Sequence, residues 1–383
     1  MLLLWAAGLG AAAQFAKFAV PFAGLQSQYP DAGASLGFMV SLISFLGIVL
    51  GLVAGRLVAG FGFRRVLLTA LIAGAAISAV QSLFLTLPVM LGLRLIEGLS
   101  HLAIVVAAPT LIAEVASDKW RATAMTLWST FFGVAFALLA WFGLPFVEQH
   151  GLEPLLLGHA AYMLIAALVL WWALPPRGTV HAHSAPVPMV ALHLAAYRDR
   201  HVTTPALGWV SYTLTFAAIL TVLPSQIPVE SRALVSTLMP LAGLVTAMSL
   251  GALLLRFVPA VRVVLWGFIL GLAIALALVA MPGSTVLVVA LFAAMGLVQG
   301  ASFAAVPQLN HGIDTRALAN GAMAQCGNLG NTLGPPLLLA ILPFAGTRGL
   351  FVFASLCYVA GIAVYLRAPR SPADAALPQS PMT

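Results

Sequence analysis

Three charged side chains and one histidine stand inside stretches that are otherwise apolar: Lys17, then Arg94, Glu97 and His101. Arg94, Glu97 and His101 follow one another at i, i+3 and i+7, which puts them on one face of a helix. An arginine fork grips a carboxylate in two bonds and a lysine adds a point charge, so Lys17 and Arg94 read as a site for an anionic group. Glu97 reads as a proton-coupling carboxylate and His101 as its titratable neighbour. Two cations against one carboxylate leave a surplus positive charge, which points to an anionic solute. The competing reading is a buried salt bridge, Lys17 or Arg94 with Glu97, that only locks two helices together. A solvent-reachable pocket around the three charges speaks for transport; a sealed, fully paired cluster speaks for a membrane receptor or lipid-handling scaffold.

The elements that carry these residues are membrane helices. Hydrophobic residues make up 62% of the 383 and charged residues only 7%, too few to keep a globular domain in solution. A bilayer-spanning helix needs roughly 20 apolar residues. The chain offers twelve such stretches, at 2–24, 34–54, 66–86, 88–115, 122–143, 154–174, 202–223, 233–255, 262–281, 285–307, 318–342 and 348–366. Breakers at Tyr29-Pro30-Asp31, Leu87-Pro88, Pro175-Pro176, Pro282-Gly283 and Pro343 separate them. Thirteen of the 17 basic residues fall in one set of loops, against Arg232 and Arg348 in the opposite set. The positive-inside rule then puts both termini and the central loop in the cytoplasm, in a multi-pass protein of the plasma (inner) membrane. On this layout Lys17 and Arg94 both lie ~21 Å above the cytoplasmic edge, at 1.5 Å per helical residue. Charges that share a level can share a site.

The composition also excludes functions. The net charge of +7 is a topology signal, so no nucleic-acid partner is expected. Cys326 and Cys357 lie in apolar helical stretches and read as small buried hydrophobes. His181 and His183 have no third ligand spaced to help them, so no metal is expected, and neither is a cofactor. No nucleophile–base set marks an enzyme. No ATP-binding loop occurs, which leaves an ion, proton or solute gradient as the driving force. The first apolar stretch lacks a basic leader and contains Lys17, so it reads as a retained helix. Trp5 and the Trp171-Trp172 pair look like anchors at the membrane surface. The expected partners are a small-molecule solute and the bilayer, with the protein a monomer.

The one long connection, 175–201, divides the chain into six-helix halves, 1–174 and 202–366, with a short surface helix near 190–199 and a Pro/Ser/Ala-rich tail at 367–383. The halves echo each other: Glu97-Gly98, Asp118 and Arg121-Ala122 in the first, Gln299-Gly300, Asp314 and Arg316-Ala317 in the second. This predicts an all-α membrane protein of two six-helix bundles with a pseudo-two-fold relation, able to rock about a central site. Gly47-x-x-x-Gly51-x-x-x-Gly55 permits close helix packing and sliding.

The loop after the second span runs from Gly55 and Arg56 to Gly62, Arg64 and Arg65, and the fourth span adds Arg94-x-x-Glu97-Gly98. Together these resemble the signature of the major facilitator superfamily. The resemblance implies the major facilitator fold, with helices 1, 4, 7 and 10 around a central cavity, so the Arg94 face should look into that cavity. It also implies a gating role for Gly55, Gly62, Arg64 and Arg65. Where the family has an Asp followed by a basic residue, this chain has Ala59 and Gly60. Glu114, Asp118 and Arg121 stand at the neighbouring end of the fourth span, and the two acids are placed to partner Arg64 or Arg65 instead. The family's antiporter Gly-Pro pair is missing from the fifth span, which reads Thr126-Leu127-Trp128-Ser129-Thr130-Phe131-Phe132-Gly133. Further polar candidates for solute contact are Gln14, Tyr212, Gln299, Gln325 and Asn328, each of which also suits an interhelical hydrogen bond. His159 and His311 read as structural or solvated. The expected function is a secondary transporter of a small polar, anionic solute by alternating access, with proton coupling; an exporter of hydrophobic or cationic compounds is the alternative.

Overall fold

The computed structural model describes residues 1–117, 120, 124, 127–128, 130–175, 189–310 and 313–369. Asp118, Arg121, the His181/His183 pair, His311 and the tail from Arg370 lie outside them. The described residues are helical almost throughout, and eleven helices are long and apolar enough to cross a membrane. In chain order they are α1 (Leu2–Ala19), α2 (Pro30–Leu50), α3 (Phe63–Gln81), α4 (Leu87–Val115), α5 (Phe131–His150), α6 (Leu152–Ala173), α7 (Arg200–Gln226), α8 (Val229–Leu254), α9 (Ala260–Ala280), α10 (Thr285–Leu309) and a last segment, Ile313–Leu366. Helices dominate because a bilayer offers no water to backbone N–H and C=O groups, so each segment must satisfy its own.

The last segment is two helices joined at Gly346, which has φ 57° and ψ −159°. That left-handed backbone suits glycine and interrupts the helical ladder. We label the arms α11 (313–345) and α12 (347–366). At 1.5 Å per residue the second arm alone spans ~30 Å, one bilayer core. The sequence places this turn at Pro343, but the helix carries Pro343 within it and breaks only at Gly346. A similar shift occurs in α5, where the predicted stop at 143 gives way to a helix that runs through Pro145 to His150 and ends at Gly151, φ 82°. A wider π-turn at Leu139–Gly143 precedes that proline. Prolines persist in membrane helices because local turn adjustments satisfy the freed carbonyls.

Packing groups the helices into two bundles. In the first, α3 lies against α4 and α6, and α1 against α4, α5 and α6. In the second, α9 lies against α10 and the α11–α12 segment, α8 against α10, and α7 against α11–α12. The echo between halves has a packing counterpart: Gly98 lets α4 close on Ile43 of α2, and Gly300 lets α10 close on Ala247 of α8. The bundles meet along two seams, α2 with α11 and α5 with α8. Gly47 and Gly51, predicted to allow close packing, both face α11, where an added Cβ would reach the side chains of Asn328 and Gln325 respectively.

Between the bundles runs the helix Met189–Arg198, close to the predicted 190–199. It packs on α7 and on α11–α12. Trp171 and Trp172 are exposed on the outside of α6, as membrane-surface anchors would be, whereas Trp5 instead donates to Thr130 Oγ1 at 3.1 Å and ties α1 to α5.

Candidate functional site

Lys17 lies in the last turn of α1. Its ammonium has three N–H bonds and three partners: Ser78 Oγ and Gln81 Oε1 on α3, both at 2.7 Å, and Glu97 Oε1 on α4 at 2.6 Å. Arg94 Nη1 donates to Glu97 Oε2 at 2.5 Å and to the Gln14 carbonyl on α1 at 2.9 Å, and its Nη2 donates to the Val40 carbonyl on α2 at 3.2 Å. Gln81 Nε2 closes the ring by donating to Glu97 Oε2 at 2.7 Å. The Phe18 ring lies 5.4 Å from the ammonium and 5.0 Å from the guanidinium, a cation–π seat for both. Lys17, Gln81, Arg94 and Glu97 are each 0% exposed.

The level computed for Lys17 and Arg94 from helix geometry therefore brings them together as expected, with Glu97 between them. The direction of the Arg94 face differs from the expectation. It meets α1, α2 and α3 inside its own bundle, not the space between bundles. Desolvated charges need polar partners at close range, and the carbonyls of Gln14 and Val40 and the amide of Gln81 supply them there. The cluster is sealed, yet it is not fully paired. Two cations face one carboxylate, Arg94 Nε has no partner, and neither has Gln14 Oε1. The amide nitrogen of Gln14 donates to Ser100 Oγ at 2.9 Å.

A second layer continues the cluster. Ser78 also meets His159 Nδ1 on α6 at 2.8 Å, and His159 Nε2 meets the Gly10 carbonyl at 3.0 Å. A carbonyl only accepts, so the proton sits on Nε2 and Nδ1 accepts from the Ser78 hydroxyl. Hydrogen bonds thus run unbroken from Glu97 through Lys17 and Ser78 to His159. The sequence reading missed Ser78 and Gln81 and took His159 as structural or solvated. A signal existed, since Gln81 stands 15 residues above the start of the predicted third span, ~22 Å up and level with Lys17. His101 stands apart from Glu97: its Nδ1–H donates to the Ala11 carbonyl at 3.0 Å, and its ring packs edge-on to Phe15 at 5.0 Å.

The other polar candidates fall elsewhere. Tyr212 on α7 donates to Gln299 Oε1 on α10 at 3.2 Å, an interhelical bond within the second bundle. Asn328 bonds the Ala324 carbonyl of its own helix at 2.8 Å. Gln325 bridges the bundles: its Nε2 lies 2.6 Å from the Ile48 carbonyl on α2 and 2.8 Å from His193 on the linker helix, and Tyr197 donates to its Oε1 at 3.2 Å. This is a latch of linker helix, α2 and α11. Gln325→Leu is expected to cost about 1–3 kcal/mol of local stability, so backbone amides of 189–198 should exchange roughly 5–150-fold faster while the bundles stay folded. Unchanged exchange there would remove the latch.

In the loop before α3, Gly55 lies in the helix Ala54–Phe61, and Gly62 has φ 86°, a turn that glycine makes without strain. Arg64 does not turn to Glu114. It donates to the Trp171 and Leu174 carbonyls, at 2.8 and 3.2 Å, and lies over the Trp171 ring, so it caps the end of α6. Arg65 and Glu114 are exposed.

The sequence profile described as Major Facilitator Superfamily matches residues 2–311, the whole of α1 to α10. The comparison with curated proteins returned no match. Multiple apolar helices of membrane length, two bundles meeting on glycine-lined seams and a profile match over most of the length lead to one assignment: this multi-pass membrane transporter belongs to the major facilitator superfamily.

Proposed function

We propose that this transporter carries a small organic anion by alternating access, with the α1–α4 cluster as its charge-recognition and coupling element. The observation that supports this is the surplus positive charge in a fully buried cluster whose Arg94 Nε donor is unused. A buried arginine normally finds partners for its donors, because leaving one unmade costs about 1–3 kcal/mol. Arg94 Nε and Nη2 form one side of the guanidinium fork, the geometry that takes both oxygens of a carboxylate. The cluster is sealed inside the first bundle, so a solute would reach Arg94 only if α1 or α2 draws away from α4 as the bundles rock.

Proton coupling is part of the same proposal. A proton taken by Glu97 would release both cations to the solute, and the Lys17–Ser78–His159 hydrogen bonds offer it a route across the first bundle. The concentration of basic residues on one side supports a plasma-membrane protein with both termini in the cytoplasm.

Arg94→Ala is expected to abolish solute binding and leave a folded, monodisperse protein, since Lys17 and Glu97 remain as a neutral pair. The test is a thermal-shift screen of purified protein against small carboxylates, inorganic anions, sugars and lipophilic cations at two pH values. Stabilisation by carboxylates, lost in Arg94→Ala, supports the reading. Stabilisation by lipophilic cations alone overturns it and makes Glu97 the recognition residue of an exporter.

A further inference from the structure

A groove opens on the first bundle where α1, α5 and α6 meet, and all of its lining comes from those three helices. It holds about 310 Å³, at the small end of the range for small-molecule sites, roughly 300–1,000 Å³. Small side chains make the space. Ala13 of α1 and Ala135 of α5 line it, and a Cβ added to Gly158 of α6 would meet no atom within 4 Å. Leu139, in the groove wall, begins the wider π-turn of α5.

The two ends of the groove differ in chemistry. Leu138, Phe146 and Tyr162 form an exposed rim. Exposed apolar side chains on a membrane-spanning helix face acyl chains, so the groove opens to lipid. Lys17 and His159, both buried, form its polar floor. The Lys17 ammonium keeps its three partners, but they do not cancel the charge around it. The cluster holds two cations against one carboxylate. Where water is excluded, such a charge acts over several ångström instead of being screened.

We infer that the groove is a binding site for a single-chain carboxylic acid drawn from the bilayer, its chain along α5 and α6 and its acid group at the Lys17–His159 floor. This site is separate from the Arg94 fork and goes beyond the solute reading above, since it needs neither α1 nor α2 to leave α4. The sign of the charge selects the occupant: a lipophilic amine would be repelled by the surplus cation. Depth selects it too. With Lys17 ~21 Å above one edge of a core ~30 Å thick, the floor lies ~9 Å inside the other edge. A phospholipid headgroup is held at the interface by its two chains, whereas a single-chain acid slides to that depth.

The experiment is photolabelling of the full chain in nanodiscs of zwitterionic lipid. The probes are decanoic acid with a diazirine at its chain end and the matching decanol and decylammonium, and labelled residues are mapped by peptide mass spectrometry. Wild-type protein is expected to take label from the acid within 135–146 and 154–162, about 10-fold or more above the alcohol at equal membrane concentration. Unlabelled decanoate should compete and decanol should not. Gly158→Phe, which puts a ring into the open space of the groove, is expected to remove this labelling. Equal labelling by acid and alcohol in wild type overturns the site and reduces the groove to ordinary lipid-facing surface, and this comparison needs no variant to fold. Acid label confined to other helices, or unchanged in Gly158→Phe, also overturns it. Stronger labelling by decylammonium than by the acid overturns the charge assignment. None of these outcomes bears on the Arg94 reading, which is tested with water-soluble carboxylates.

Discussion

Glu97→Gln is expected to be the most damaging single substitution in the buried cluster, costing about 3–5 kcal/mol of stability. The reason is charge balance. Glu97 neutralises one of two cations that have no water around them, and glutamine leaves both uncompensated. Lys17→Met and Arg94→Met remove a cation instead, leave a neutral pair and should cost markedly less. Lys17→Met added to Glu97→Gln should recover part of what Glu97→Gln alone loses. Wild type, Glu97→Gln, Lys17→Met and the double variant form a double-mutant cycle, read by thermal unfolding after purification in detergent. Strictly additive losses would show that Glu97 acts through its shape and hydrogen bonds, and not through its charge.

Gly37→Ala is expected to force apart the α2–α11 seam. A methyl group at Gly37 lands 2.7 Å from the backbone nitrogen and 2.8 Å from the Cα of Pro336, atoms of a helix that cannot swing aside. Overpacking of this kind costs about 1–3 kcal/mol, which moves the ratio of open to closed seam by roughly 5–150-fold. Gly47→Ala serves as the control, because the atom its methyl meets belongs to the side chain of Asn328, which can rotate away. Spin labels at Ser35 and Leu337, both exposed, report the distance across the seam. A broader, longer distance in Gly37→Ala with none in Gly47→Ala is the expected outcome, accompanied by a loss of transport. A distance unchanged in Gly37→Ala would mean that this seam yields without opening.

Much of this architecture was legible before any coordinates, because a bilayer imposes few and strict rules. Twenty apolar residues and breakers between them dictate the spans, and rise per residue alone brought Lys17 level with Arg94. What stayed hidden depends on rotation about the helix axis and on side-chain reach. The i, i+3, i+7 spacing puts Arg94, Glu97 and His101 on one face, but nothing in that spacing says that the face turns towards α3. Gln325 looked like a lining residue by its position along α11, yet its contact with Ile48 is a feature of two bundles meeting, absent from either alone. Arg64 likewise found its carbonyl partners on α6, 107 and 110 residues away in the chain. Ser78 and Gln81 were overlooked because small or uncharged polar residues are common in membrane helices, and only their level relative to Lys17 sets them apart.

On the proposed anion reading, the uncompensated positive charge in the α1–α4 cluster would tie the transport cycle to membrane voltage. Empty, the cluster holds two cations and one carboxylate and would carry a single positive charge when the bundles rock; a solute anion alone would cancel that charge, whereas an anion taken up with a proton on Glu97 would leave it in place. A unit charge carried across the whole field feels about 2.3 kcal/mol per 100 mV, and a cluster displaced through part of the field feels that part. Voltage would then act on the return of the empty transporter, and on the loaded stroke where a proton rides with the anion. A negative interior would hold the empty site towards the inside, and depolarisation would free it to face out.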